Sequence, residues 1–207
     1  CRSEQALLAA ALKQYHTEYG RFPSFTGERE EDQTFSELGD SRFSEDASRV
    51  QNIANLMAVL LDLTETPEGL PTINTNFAFN PNRILFLTAR FVQDKTSPGM
   101  GKDLVYRDPW GQPYVISFDL NDDEMTRDFF YARQKVSQRS GSLGFNRLTN
   151  NVDSMGNTDQ FQARGRVMIW SSGPDRRADS SKPANIPPNA DNICTWSDPL
   201  IQESADE

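Results

Sequence analysis

The spacing of apolar residues changes once along this chain, and that change constrains its secondary structure more than any other feature. In two segments of the first half, Glu4 to Tyr19 and Asp46 to Leu63, the apolar residues recur at intervals of three and four, which places them on one stripe of a helix. After Leu104 the apolar segments are short, rich in β-branched and aromatic residues, and bounded by Gly, Pro, Asn and Asp, as is typical of strands. The pattern therefore predicts helices in the first half and a sheet in the second.

The first helix is predicted from Glu4 to Tyr19. Its apolar stripe consists of Leu7, Leu8, Ala11, Leu12, Tyr15 and Tyr19. Ser3 can cap the N-terminus, and Gly20, followed closely by a proline, supplies a stop. The single histidine, His16, lies off the stripe, so we expect it to face solvent.

A second helix is predicted from Asp46 to Leu63, with Ser44 or Asp46 as its cap. Its stripe consists of Val50, Ile53, Leu56, Met57, Leu60 and Leu61. The charged stretch before it is predicted to be a long surface loop. A short third helix is predicted from Arg83 to Arg90, with a proline in its first turn. Residues 21–103 are thus expected to form a helical and loop segment.

The second half of the chain is predicted to form the sheet. The predicted strands are Tyr114 to Phe118, Arg166 to Trp170 and Asn192 to Trp196. We interpret the polar stretch 126–164 as an insertion between paired strands, the start of which, Arg127 to Val136, has a helical pattern. Residues 201–207 are expected to be a disordered tail. The length of 207 residues fits one domain, 1–207, with the sheet in 104–200.

Composition narrows the possible functions. The chain has 30 acidic and 21 basic residues and a net charge of −9, which argues against nucleic acid as a partner. One histidine leaves little room for Ser-His-Asp or multi-histidine metal sites. The apolar runs are much shorter than the roughly 20 residues of a membrane span. Because the sequence opens at Cys1, we interpret it as a fragment or a processed chain. Cys1 and Cys194 can form one disulfide or remain free thiols.

Two acidic or aromatic clusters have a structural interpretation that we favour. Asp108 to Tyr114 combines two prolines, a glycine and two aromatics before a strand, which indicates a rigid turn more than a recognition loop displaying Trp110. Asp119 to Glu124 resembles the start of a calcium loop, but an EF-hand needs glycine at its sixth position and glutamate at its twelfth. These positions hold Glu124 and Phe130, so a solvated turn is predicted instead.

A third cluster contains three aspartates between two predicted strands, Asp175, Asp179 and Asp191. A loop that returns on itself can bring them together, and converging carboxylates repel one another unless a cation or a basic side chain lies among them. Calcium is one solution, and neutralisation by Arg176 and Arg177 is the other. A carboxylate pair acting in glycoside hydrolysis is a further hypothesis.

Four blocks of this sequence, taken in order, resemble the major pseudopilins of type II secretion systems. The blocks are Leu12 to Pro23, Asp108 to Tyr114, Trp170 to Asp175, and Asp191 to Trp196. The stretches 24–102 and 126–164 contain no matching motif. The resemblance implies a pilin-like α+β fold, in which a long N-terminal helix packs on a small antiparallel sheet. In this chain residues 1–20 would be the C-terminal half of that helix, with extra helices and a long insertion added.

The resemblance also implies a function. It implies a non-enzymatic structural subunit of a pseudopilus that acts in protein export, with other pseudopilin subunits and secretion-system components as partners. The full-length protein would be anchored at the periplasmic face of the inner membrane by an N-terminal helix, and this chain would be its soluble, monomeric part. In that family the last loop binds calcium, which implies Asp175, Asp179 and Asp191 as side-chain ligands and Ser172 as a carbonyl donor.

An alternative of another class is an extracytoplasmic module that binds carbohydrate or a protein partner. It would use Trp110, Trp170 and Trp196 as an exposed stacking surface.

Overall fold

The helices occupy a small part of the chain. We describe the protein from a computed structural model, in which the described residues are 1–25, 32–43, 48, 50–152 and 154–197. The α-helices in these residues are α1 (Arg2–Tyr19), α2 (Ile53–Leu60) and α3 (Gln134–Ser137). Single 3-10 turns occur at Ser41–Phe43, Thr75–Phe77, Phe145–Arg147, Asn189–Asp191 and Thr195–Ser197.

The strands are short and form three sheets within the described residues. They are β1 (Gln33–Ser36), β2 (Gln51–Asn52), β3 (Gly99–Met100), β4 (Tyr106–Arg107), β5 (Val115–Phe118), β6 (Met125–Thr126), β7 (Gln138–Ser140), β8 (Leu143–Gly144), β9 (Thr149–Asn150), β10 (Phe161–Arg164), β11 (Val167–Ser171) and β12 (Ile193–Cys194). The main sheet has the order β12-β11-β5-β1-β2, and a second sheet has the order β6-β10-β9-β8-β7. β3 and β4 form a separate two-stranded ribbon.

The main sheet is a middle layer that is covered on both faces. All four residues of β5 are buried, as expected for a strand without a solvent face. Its side chains alternate between two cores, because Ile116 and Phe118 pack with the helices, whereas Val115 packs with Trp170 on the other side. β11 and β1 flank β5 in antiparallel register, and β2 joins β1 in parallel. The strands predicted at 114–118 and 166–170 are confirmed.

The first helix covers one face of the main sheet. Leu8, Ala11, Leu12 and Tyr15 of the predicted stripe are buried, whereas Leu7 is 57% exposed and Tyr19 is half-buried, so the stripe is confirmed in part. Gly20 ends the helix in a left-handed conformation, and its N–H donates to the His16 carbonyl, so the predicted stop is also confirmed. The predicted cap is wrong, because Ser3 lies inside the first turn and Cys1 occupies the N-cap position.

The described residues of 127–164 cover the other face of the main sheet and supply six of the fourteen buried residues of the second core. Phe130 and Tyr131 pack there against Trp170, and Phe161 belongs to the same cluster. The helical pattern predicted from 127 to 136 is wrong over most of its length, because only α3 forms. The Asp128 carboxylate instead accepts the N–H groups of Phe130 and Tyr131, both at 3.0 Å, which holds this segment in a turn.

The second helix is shorter than its apolar pattern predicts. Residues 51 and 52 pair with β1, so the helix begins only at Ile53, where the Asn52 side chain caps it by accepting the Ala54 N–H at 3.0 Å. The proposed caps Ser44 and Asp46 lie outside the described residues.

The third predicted helix does not form. The N–H groups of Phe86 and Leu87 both donate to the Leu60 carbonyl at the end of α2, at 3.0 and 2.9 Å, so this apolar run lies against that helix end without turning into a helix itself. The backbone N–H of Ile84 is also bonded outside a helix, since it donates to Asn80 Oδ1 at 3.1 Å. The apolar residues that produced the pattern are therefore core contacts of an irregular segment.

The predicted pilin-like α+β fold class is wrong. The expectation was a long helix on one small antiparallel sheet with extra helices, whereas the described residues form three sheets and only three α-helices. The physical reason is that residues 126–164 form a covering layer with strands of its own, and the segment 63–103 is largely irregular. None of the described helices is long and apolar enough to span a membrane. The predicted disordered tail, 201–207, lies outside the described residues.

Candidate functional site

The C-terminal loop, residues 172–192, joins β11 to β12 and carries the predicted ligands. At its neck the two ends of the loop are in van der Waals contact, because a Cβ added to Gly173 would lie 2.3 Å from the Asp191 carbonyl oxygen. Gly173 has φ +70°, a left-handed conformation that side chains disfavour. This glycine therefore allows the loop to close.

Two of the predicted ligands, Asp175 and Asp191, lie together at the neck. Asp191 Oδ2 accepts the Asp175 N–H at 3.2 Å, and Asp175 Oδ1 accepts the Arg177 N–H at 2.8 Å. Asp175 is exposed, whereas Asp191 is half-buried. Both carboxylates thus organise backbone donors of the same turn.

The third predicted ligand, Asp179, is held further along the loop. Its backbone N–H and carbonyl both bond to the Asn189 side chain, at 2.8 and 2.9 Å. Its Oδ1 accepts the N–H and the hydroxyl of Ser181, which are the main reasons that the pKa of Asp179 is lowered. Asn189, which the sequence interpretation missed, is therefore the residue that cross-links the loop.

Ser172, the predicted carbonyl donor, is buried beneath the loop. Its hydroxyl accepts a hydrogen bond from Arg42 Nη1 at 2.8 Å. Arg42 also donates to the carboxylate of Asp40 and to the Pro113 carbonyl, so it links the loop to the turn after β1. The sequence interpretation missed Arg42, because nothing in the spacing of residues 24–46 distinguishes it from other loop residues.

The aspartates do not all converge. In the part of the chain that the structure describes, no three His, Cys, Asp or Glu side chains lie close enough together to hold a metal ion. Arg176 and Arg177 are exposed, and the charge of Arg177 contributes to the lowered pKa of Asp179. At the neck the Asp191 carboxylate bonds to the backbone N–H of Asp175, so the two residues are adjacent, and carboxylate oxygens are among the ligands that calcium takes.

Three of the four sequence blocks that carry the resemblance converge near the N-terminus of α1. Gln5 in α1 donates from Nε2 to the Ile193 carbonyl at 2.7 Å. The Tyr114 hydroxyl donates to Glu4 Oε2 at 2.7 Å, and burial raises the pKa of Tyr114. The first two turns of α1, which precede the first block, are thereby joined to the blocks 108–114 and 191–196.

The remaining contacts join the blocks within the main sheet. Ser171 Oγ donates to Asp108 Oδ2 at 2.5 Å, which ties the block 170–175 to the block 108–114. Trp170 is directly opposite Cys194 in the register of β11 and β12. The blocks 108–114, 170–175 and 191–196 therefore form one contiguous unit with the N-terminal end of α1, whereas the first block, 12–23, lies toward the other end of the helix.

The three tryptophans do not form an exposed surface. Trp170 is 0% and Trp196 is 2% exposed, and Trp110 is half-buried. The predicted stacking surface is therefore wrong, because two of its members are core residues. Trp170 Nε1 instead donates to Asp128 Oδ2 at 3.1 Å, and burial raises the pKa of Asp128.

The turn at 108–114 is rigid, as predicted. Asp108 Oδ1 accepts the N–H groups of Trp110 and Gln112, both at 2.9 Å. The turn at 119–124 closes β5 in a similar way, but it is not fully solvated. Asp119 is buried and accepts the N–H groups of Asp123 and Glu124.

The two cysteines and the single histidine were also considered as candidate site residues. Cys1 and Cys194 are free thiols, and burial raises the pKa of Cys194 to about 12. His16 is half-buried and not fully solvent-facing, because its ring packs at a tilted angle against Phe22 and its Nε2 lies 2.9 Å from Arg166 Nη1.

Comparison of the chain with protein-family models, with curated proteins and with solved structures gave no significant match.

Proposed function

We propose that this chain is a non-enzymatic structural subunit of a type II secretion-like pseudopilus that acts in protein export. Its partners would be other pseudopilin subunits and secretion-system components, and its location the periplasmic face of the inner membrane. One observation carries the proposal: three of the four blocks that resemble major pseudopilins, 108–114, 170–175 and 191–196, form one unit with the first turns of α1, through the contacts Gln5 to Ile193, Tyr114 to Glu4 and Ser171 to Asp108. Matching residues that contact one another in the structure support a resemblance better than matching residues that lie apart.

The proposal concerns the role of this unit and not the fold class. The contacts attach the C-terminal loop rigidly to the start of α1, since Gln5 is completely buried and bonds to the strand that follows the loop. A subunit that transmits force through its helix needs such a connection between helix and sheet. We therefore assign the unit a mechanical role.

We further propose that the C-terminal loop binds calcium, with Asp175, Asp179 and Asp191 as side-chain ligands and the Ser172 carbonyl as a further donor. Asp175 and Asp191 already lie together at the neck, whereas binding by all three carboxylates requires Asp179 to give up its bonds to Ser181. Calcium bound only by the folded loop would add its binding free energy to the stability of the protein.

Thermal unfolding tests the calcium proposal. At a calcium concentration about 100-fold above Kd, the unfolding midpoint should rise by about 5–10 °C over its value in chelator. Asp191→Asn should abolish the rise, while Glu68→Gln, a change of an exposed acid far from the loop, should leave it intact. An unchanged midpoint in the unmodified protein would contradict the calcium proposal.

The coding sequence upstream of Cys1 tests the assignment to a pseudopilus. The proposal predicts a short leader that ends in glycine, followed by an apolar stretch of about 20 residues with a glutamate near its start. An ordinary cleavable signal peptide at that position would contradict it.

A further inference from the structure

A cavity of about 250 Å³ lies where the turn after β1 meets the C-terminal loop and the residue before α3. Its polar lining consists of Ser41, Arg42, Arg133, Arg177, Asp179 and Ser180. Three arginines thus border one small cavity in a chain with a net charge of −9. We call this cavity the arginine pocket.

Arg42 is held in a fixed orientation at the pocket. Its guanidinium donates to Asp40 Oδ2 at 2.6 Å, to the Pro113 carbonyl at 2.9 Å and to Ser172 Oγ at 2.8 Å. Its Cζ also lies 5.1 Å from the centre of the Trp170 ring. A ligand that binds to this side chain loses little affinity to ordering it.

Arg177 is available for a ligand. Its backbone N–H donates to Asp175, but within the described part of the chain its guanidinium makes no hydrogen bond or ion pair. A planar guanidinium with several donors in a fork matches the oxygen atoms of a phosphate or sulfate.

Asp179 is the one acidic residue that lines the pocket, among the residues described. Its Oδ1 already accepts the N–H and the hydroxyl of Ser181, at 2.9 and 2.6 Å, and its Oδ2 lies 3.9 Å from Lys182 Nζ. Its negative charge is therefore partly compensated from outside the pocket, which reduces its repulsion of an anion.

We propose that the arginine pocket binds an oxyanion of the phosphate or sulfate class, either free or carried by a larger molecule. Arg177 supplies the charge-assisted donors, beside Arg42, which is already paired with Asp40, and the hydroxyls of Ser41 and Ser180 can donate as well. The cavity is smaller than the roughly 300–1,000 Å³ of sites for drug-sized ligands, so it suits a single tetrahedral group. Because its arginines come from three separate segments, the bound anion would also fasten the C-terminal loop to the turn after β1.

Isothermal titration with inorganic phosphate or sulfate tests this proposal, at constant ionic strength and with chelator present. The unmodified chain should bind one anion saturably, and Arg177→Gln should weaken binding about tenfold, since one charge-assisted contact is lost. Arg176→Gln is the matched control, because Arg176 is exposed and next in sequence but does not line the pocket. Its affinity should equal that of the unmodified chain.

Three results would overturn the proposal: no saturable binding, equal losses in the two arginine variants, or binding of glucuronate, a planar carboxylate, as tight as that of phosphate. Binding of glucose 6-phosphate that depends on Arg177 would support an anion carried on a larger molecule, and binding of inorganic phosphate alone would support a free one. Because chelator is present throughout, failure here leaves the calcium and export proposals unaffected.

Discussion

At the scale of single residues, the Asp128 carboxylate connects three parts of the second core. Its Oδ2 accepts from the Ser117 hydroxyl at 2.8 Å and from Trp170 Nε1 at 3.1 Å, and its Oδ1 accepts two backbone N–H groups of the following turn. Burial raises the pKa of Asp128, whereas these donors oppose the rise. The sequence did not predict this role, because an aspartate in a polar insertion has the pattern of a surface residue.

We predict that Asp128→Ala lowers the free energy of unfolding by about 3 kcal/mol, because it leaves buried donors without partners. Urea unfolding measures the loss, and near-ultraviolet circular dichroism should show a change in the Trp170 environment. Glu68→Ala, at an exposed position, serves as the control. A loss no larger than that of the control would contradict the assigned role.

Asp32 makes stability depend on pH. Burial raises its pKa to about 7, and the nearby charge of Asp119 contributes, while backbone donors from Arg127 and Leu120 oppose the rise. In the unfolded chain this group ionises near its ordinary value of 3.8. Between these two values the folded protein therefore holds a proton that the unfolded chain has released, and its stability falls as pH rises.

We predict that Asp32→Asn flattens the dependence of stability on pH between about 4 and 7, because the variant cannot ionise at this position. The unmodified chain should lose more stability than the variant as pH rises through this window. Urea unfolding at intervals of one pH unit measures the difference. Parallel curves for the two proteins would show that Asp32 is not the group concerned.

At the scale of secondary structure, the turn before β5 depends on a close approach between two loops. Gly111 has φ +86°, and a Cβ added there would lie 2.1 Å from the Thr96 carbonyl oxygen. Thr96 belongs to a loop that Asp94 organises, since its carboxylate accepts the N–H groups of Thr96 and Ser97. Glycine is therefore needed at position 111 for two reasons: it adopts the left-handed conformation, and it has no Cβ to clash with Thr96.

We predict that Gly111→Ala destabilises the protein by clearly more than Gly69→Ala. Gly69 has φ +79° with no atom within 4 Å of the added Cβ, so its substitution costs only the left-handed conformation, about 1–2 kcal/mol. Gly111→Ala adds a clash with backbone, which cannot move aside as a side chain can. Urea unfolding of both variants gives the comparison, and equal losses would contradict the close contact.

The elements that could be predicted from sequence are those whose patterns reflect local forces. The stop at Gly20 and the strands around Ile116 and Ile169 were recognisable, because left-handed caps and β-branched runs act over a few residues. The run 84–87 was misread as helical, since its apolar residues pack against the end of α2 and their backbone donors go to Leu60. Such long-range contacts produce no periodic pattern of apolar residues in the sequence.

At the scale of the whole molecule, the layered arrangement explains why the fold class could not be predicted. All five strands of the second sheet are two to four residues long, and the three residues of β7 are exposed, so these strands carry almost no alternation of apolar residues. The sequence therefore marked residues 126–164 only as a polar insertion. In the structure this insertion buries Trp170 and Trp196, which removed the predicted stacking surface.

The candidate site could be predicted only in part, because some of its contacts are local and others join distant parts of the chain. Asp175 and Asp191 meet at the neck, as a loop between paired strands requires, whereas Asp179 is diverted by Asn189 and Ser181. Arg42, which anchors the loop from below, comes from a part of the chain that lies 130 residues away from Ser172. Contacts over such separations depend on the tertiary structure and cannot be read from spacing.

Protein export by living cells is the measurement that tests the central proposal most directly. The gene that encodes the chain would be deleted, and exported proteins would be quantified in the culture medium and inside the cells. The account predicts that these proteins accumulate inside the deletion strain and that the unmodified gene restores their export. Export at the original level in the deletion strain, with the secretion machinery otherwise active, would contradict the proposed function.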